Sequence, residues 1–72
     1  MEQYLNRSGN SPITNFQIEV YSITIWFKGA ARSYTYSYTK AGSTNVEKMK
    51  SLAKSGSGLS AYITKNVKYL YD

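Results

Sequence analysis

The residues of this chain that could do chemistry are aromatic and basic. Eight Tyr, one Trp and two Phe stand among nine Lys and Arg, four acids, and no His or Cys. Without His, the commonest general base and the commonest metal ligand are missing. Without Cys, disulfides and Cys-based zinc sites are excluded. Glu2, Glu19, Glu47 and Asp72 are scattered singly, so no carboxylate pair is spaced for acid–base work. No base stands by to activate a Ser. The expectation is no enzyme, no cofactor and no metal, but a module that binds.

Four features could do the binding. Tyr34, Tyr36 and Tyr38 alternate with Ser and Thr. Aromatic rows on a sheet stack the bases of single-stranded nucleic acid. A Ser/Thr face cannot hold a core, however, so the Tyr face is expected to meet the helices, with a contact surface as the alternative. Trp26 follows the opposite phase to Ile25 and Phe27, which sends it to the wet face beside Lys28 and near Arg32. There it is either a stacking platform flanked by charge or a ring laid over neighbouring Thr side chains. The turn Lys54-Ser55-Gly56-Ser57-Gly58 leads into a helix start and has the parts of an anion site. It lacks the phosphate-loop pattern, and a tight helix–turn–helix connection explains every residue. Lys48, Lys50, Lys54, Lys65 and Lys68 are expected on outer helix faces, as a basic surface or simply a solvated one.

Net charge is +5 over 72 residues. That makes an anionic partner a natural expectation: RNA, an acidic protein surface or anionic lipid. A charge of this size also serves solubility. No run approaches the ~18 apolar residues of a membrane span. The polar start, Met1 to Ser11, has no apolar signal core, so the cytoplasm is the expected compartment.

These side chains need elements to hold them. Seventy-two residues make one small domain, which buries roughly 60% of its unfolded surface. Residues 1–12 are rich in turn formers and read as a flexible arm ahead of a domain over 13–72. A period of two puts Phe16, Ile18 and Val20 on one face of a strand near 14–20. Ile23, Ile25 and Phe27 do the same near 22–28, after a tight connection at Tyr21-Ser22. Gly29-Ala30-Ala31 reads as a hairpin turn and 33–40 as a third strand. Thr44 and Glu47 have capping-box spacing. Val46, Met49, Leu52 and Ala53 follow at helical spacing over 44–55. Gly56 ends that helix, and Ser57 caps a second over 58–68, with Leu59, Tyr62, Ile63, Asn66 and Val67 inside. Tyr69, Leu70 and Tyr71 are expected to dock on the sheet edge. Strands followed by helices make an α+β domain: a three-stranded antiparallel meander with two helices on one face, βββαα.

This order resembles the KTSC family, small domains found at the C-terminus of some lysyl-tRNA synthetases and also alone. The resemblance rests on Phe27, Tyr34-Thr35-Tyr36, Leu52-Ala53-Lys54-Ser55-Gly56, Gly58-Leu59, Ile63 and Asn66, and covers about residues 13–71. Many members follow their Y-x-Y with Val-Pro; here the chain reads Tyr38-Thr39-Lys40-Ala41-Gly42. The resemblance implies the βββαα fold and no established activity; attachment to a synthetase points towards RNA. The expected function is a non-catalytic module binding RNA or another anionic partner, with Trp26, Lys28, Arg32, Tyr34, Tyr36, Lys54, Lys65 and Lys68 as candidate contacts. The alternative is a protein–protein adaptor using Trp26 or an open sheet edge.

Overall fold

Alternating apolar side chains build the sheet, and one irregularity sets their phase. The computed structural model describes residues 1–72. Its strands are β1 (Glu2–Gln3), β2 (Ile13–Glu19), β3 (Ser22–Phe27) and β4 (Tyr34–Ser37). They form one antiparallel sheet in the order β1-β2-β3-β4. Phe16 pairs with Ile25 and Ile18 with Ile23, so these four share the inner face. Ile13 and Phe16 are both buried although they stand three positions apart, an odd offset that would place them on opposite faces of a regular strand. A bulge between Ile13 and Asn15 absorbs the extra residue and turns both inward.

The helical half begins one residue after β4. Ser37 caps α1 (Tyr38–Ala41), its hydroxyl accepting from the Lys40 amide at 3.2 Å. Next come α2 (Ser43–Ser55) and α3 (Leu59–Tyr62), the latter running on as a π-helical turn over Ile63–Val67. The core forms where Phe16, Ile23, Ile25 and Tyr36 meet Val46, Met49, Ala53, Leu59, Ile63 and Val67. Each large aliphatic side chain buried there contributes about 1.5–3 kcal/mol. The α+β class and the antiparallel sheet agree with the sequence.

Several finer expectations are corrected. The sheet has four strands, because the expected arm is bonded into the fold. Glu2 and Gln3 pair with Phe16 and Asn15, and the Tyr4 amide donates to the Thr14 carbonyl at 2.9 Å. Tyr4 is 3% exposed. The Arg7 amide donates to Gly56 and its Nε to Ser55, each at 2.7 Å. Polar residues around Tyr4 and Leu5 masked this anchoring from a composition argument. The third strand ends at Ser37, not near 40, because the Ser37 cap turns the backbone into α1. Val20 is 72% exposed, since it and Tyr21 make the β2–β3 turn and leave the pleat.

The expected caps differ too. Thr44 lies inside α2 and makes no cap; Gly42 precedes the helix with no side-chain bond. Glu47 instead accepts from the Tyr38 hydroxyl and pairs with Lys50. Gly58, not Ser57, precedes α3. Asn66 is exposed, its amide donating to the Tyr62 carbonyl at 3.1 Å. Gly56 does end α2 as expected, at φ 82°. A Cβ there would lie 2.6 Å from the Leu5 Cβ, so glycine is required for space as well as for conformation.

Candidate functional site: an aromatic and basic groove

β4 is an edge strand, and the end of the chain closes over it. Past Val67 the backbone turns, with the Leu70 amide donating to the Val67 carbonyl at 2.9 Å. The Asp72 amide donates to the Thr35 carbonyl at 2.7 Å, and the Ser37 hydroxyl donates to the Asp72 carboxylate at 2.8 Å. These bonds lay Tyr71 across the inner side of β4. Its ring meets Tyr34 edge-on at 4.8 Å between centroids and Tyr36 at 6.3 Å. Phe27 completes the row, 5.6 Å from Tyr34. Edge-to-face contacts of this kind add about 0.5–1.5 kcal/mol each beyond burial.

The rings leave an open groove of about 270 Å³, lined by Phe27, Tyr34, Tyr36, Ile63, Lys68, Tyr69 and Tyr71. Two cations flank it. The Arg32 guanidinium carbon lies 5.1 Å from the Tyr34 centroid and 5.8 Å from that of Tyr71. Lys68 Nζ lies 5.4 Å from the centroid of Tyr69. Tyr69 is 75% exposed, with Lys68 over one face of its ring. Burial, followed by the nearby Tyr34 and Tyr71 hydroxyls, pushes the Tyr36 phenol up to about 12. Tyr36 therefore stays neutral at neutral pH. The groove's charge comes from Arg32 and Lys68.

The structure brings four of the eight candidates together: Arg32, Tyr34, Tyr36 and Lys68. Tyr36 is a core residue and Tyr34 a half-buried one, which agrees with the expected inward Tyr face for these two, whereas Tyr38, expected on the same strand face, begins α1. Trp26 lies on the outer face of the sheet, opposite Asn15. Lys28 is exposed just past β3, its amide held by the Pro12 carbonyl at 2.7 Å. Lys54 and Lys65 are exposed and stand outside the groove, as does Lys48. Lys50, expected on the outer face, is only 9% exposed. Its ammonium donates to the Val20 carbonyl at 3.0 Å and meets Glu47 at 2.9 Å. The β2–β3 turn leaves that carbonyl without a ladder partner, so the lysine folds inward to serve it.

Tyr38 belongs to this second cluster, with Tyr21 edge-on at 5.4 Å and Lys50 over its ring at 5.6 Å. The Glu47 carboxylate beside it raises the Tyr38 phenol, while the Tyr38 hydroxyl and then Lys50 lower the Glu47 carboxyl. The 54–58 turn is already bonded: the Gly56 amide goes to Leu52 and Ala53, and the Ser57 amide to the Ser55 hydroxyl. A second cleft, of about 390 Å³, lies beside it. Ser8, Asn10, Ser11, Gly58, Ser60 and Ala61 line that cleft, none of them charged.

Sequence reasoning missed Phe27, Tyr69 and Tyr71 as groove residues. The signal was present in Lys68-Tyr69-Leu70-Tyr71: of the three residues expected to dock on the sheet edge, Tyr71 does, whereas Tyr69 and Leu70 are exposed. No group of three or more His, Cys, Asp and Glu side chains could hold a metal, and no helix is long and apolar enough to cross a membrane. Comparison with protein-family models, with curated proteins and with solved structures gives no match.

Proposed function

We propose that this chain is a small non-catalytic binding module that takes single-stranded RNA along the groove between β4 and the C-terminal segment. One observation carries the reading: an arginine spans Tyr34 and Tyr71 on a groove that also presents a lysine and an exposed tyrosine. An unpaired base stacks on Tyr69, and Arg32 and Lys68 take the phosphates on either side. Base stacking of this kind is worth about 1–3 kcal/mol, and each phosphate contact adds a salt-dependent increment. The net charge of +5 adds a general attraction for the same ligand. Lys28, Lys54 and Lys65 contribute to that field from outside the groove. The absence of His and Cys supports a binding role over a catalytic one. Kinship with the KTSC family, supported by Tyr34-Thr35-Tyr36 and the strand-then-helix order, is part of the same proposal, and a cytoplasmic location is proposed with it.

The reading is tested by titrating oligouridine into isotopically labelled protein. Amide shifts clustered at Arg32, Tyr34, Lys68 and Tyr69 support it; shifts elsewhere, or none, reject it.

A second reading is favoured by one feature. β1 covers only Asn15 and Phe16, so Gln17–Glu19 lie along an edge with no neighbouring strand. A partner protein adding a strand there would make the chain an adaptor. Such binding responds weakly to salt, whereas phosphate contacts weaken steeply.

A further inference from the structure

The groove has two walls of different standing. Phe27, Tyr34 and Tyr36 come from the sheet side, and Lys68, Tyr69 and Tyr71 from the segment after Val67. The sheet wall is fixed by the core, since Tyr36 and the Ile25 paired with Tyr34 are buried. The other wall has less support. Val67 is buried, but Tyr69 is 75% and Leu70 38% exposed, and no helix or strand runs past Val67. Beyond Leu70, both hydrogen bonds to the rest of the chain are made by Asp72.

Asp72 is exposed and lines neither cleft. Its amide donates to the Thr35 carbonyl and its carboxylate accepts from the Ser37 hydroxyl, so one residue grips β4 at two points. Ser37 is held in turn. Its oxygen accepts from the Lys40 amide, which leaves the hydroxyl proton for Asp72. The grip on Asp72 places its neighbour Tyr71 against Tyr34 and Tyr36 and under Arg32. Without it, ring contacts alone hold that wall, and Arg32 loses one of its two rings whenever Tyr71 lifts.

An acid next to a groove residue is otherwise a liability for binding RNA. Charge alone predicts that neutralising Asp72 strengthens binding. A grip predicts the opposite wherever the new side chain cannot accept a hydrogen bond.

We propose that Asp72 is a positioning residue: it clasps the C-terminal segment to β4 and so holds the second wall of the groove closed for RNA, a role that rests on the reading of the groove as an RNA site. Apparent affinity then scales with the fraction of molecules in which the segment is closed.

The full chain is compared with Asp72→Asn and Asp72→Ala, two variants of equal charge. The Asn side-chain carbonyl still accepts from Ser37, and Ala accepts nothing. Closure is read without RNA from the ring-proton shifts of Tyr71, which the edge-on Tyr34 ring displaces from their free-tyrosine values. Affinity is read by anisotropy with labelled oligouridine at one low salt concentration. Asp72→Asn should keep the parent's Tyr71 shifts and bind at least as tightly as the parent. Asp72→Ala should move those shifts towards free tyrosine and bind roughly fivefold more weakly than Asp72→Asn, the loss of about one hydrogen bond. Equal shifts in the two variants, or different shifts with equal affinity, would overturn the proposal. If the parent itself binds no oligouridine, the RNA reading fails, and shifts that still differ between the variants uphold the clasp alone.

Discussion

The Tyr4 hydroxyl accepts a hydrogen bond from the Leu59 amide at 3.4 Å, joining residues 55 apart in sequence. Leu59 begins α3, where Gly58 offers no side-chain cap, so a tyrosine from the start of the chain takes a free amide of the helix. Tyr4→Phe keeps the packing and removes that bond. It should cost about 0.5–1.5 kcal/mol in urea unfolding. Tyr4→Ala should cost about 3–5 kcal/mol, a large share of a small domain's stability. A negligible effect of Tyr4→Ala would mean that residues 1–5 are not part of the folded unit.

Gly56 makes the matching prediction at the end of α2. Gly56→Ala meets both a left-handed backbone and the Leu5 side chain. The variant should lose roughly 1–3 kcal/mol. Gly29→Ala, at φ 78° with open space around its Cβ position, should lose less. Equal losses in thermal unfolding would remove the argument that Leu5 packs over the turn.

Tyr36 ties the core to alkaline pH. Its phenol has a folded pKa of about 12 against about 10 unfolded. The unfolded chain therefore releases this proton first as pH rises. Stability is full below pH about 10 and declines as pH climbs towards 12, by roughly 1–2 kcal/mol after solvent screening. Tyr36→Phe should flatten that decline, while Tyr36→Ala should cost about 3 kcal/mol or more at neutral pH. Denaturant midpoints at pH 8 and pH 11 distinguish the two effects.

Glu47 works in the opposite direction. The Tyr38 hydroxyl and Lys50 hold its carboxyl below the usual range, so its contribution is present above the unfolded value and is lost as pH falls through the lower folded one. Tyr38→Phe should move the Glu47 carboxyl up towards its ordinary value in a carbon-detected NMR titration. An unmoved titration would show that the Tyr38–Glu47 bond does not form in solution.

The sequence made the sheet readable because β2 and β3 keep a period of two over Phe16, Ile18, Ile23 and Ile25. It made α2 readable because Val46, Met49 and Ala53 recur at helical spacing. What it hid were contacts that depend on distant residues. Thr44 and Glu47 have the spacing of a reciprocal cap, yet Tyr38 and Lys50 compete for the Glu47 carboxylate. Thr44 lies exposed within the helix. Thr44→Ala should therefore leave the melting temperature nearly unchanged. Lys50 reads as solvated until the β2–β3 turn presents the Val20 carbonyl to it. The groove was half legible. Arg32, Tyr34, Tyr36 and Lys68 stood out by type, but only the fold of the last five residues brings Tyr69 and Tyr71 to them.

The central claim is that Arg32, Lys68 and Tyr69 hold single-stranded RNA. It is tested most directly by the affinity of labelled oligouridine, measured by anisotropy across a range of salt concentrations, for the parent chain, Arg32→Ala, Lys68→Ala and Tyr69→Ala. The parent should show affinity falling linearly with salt on logarithmic axes. Each cation variant should flatten that slope by about 0.7–1 unit. Tyr69→Ala should keep the slope and lose about 1–3 kcal/mol of affinity. Binding that is absent in the parent at low salt, or equal in all four proteins, would contradict the claim.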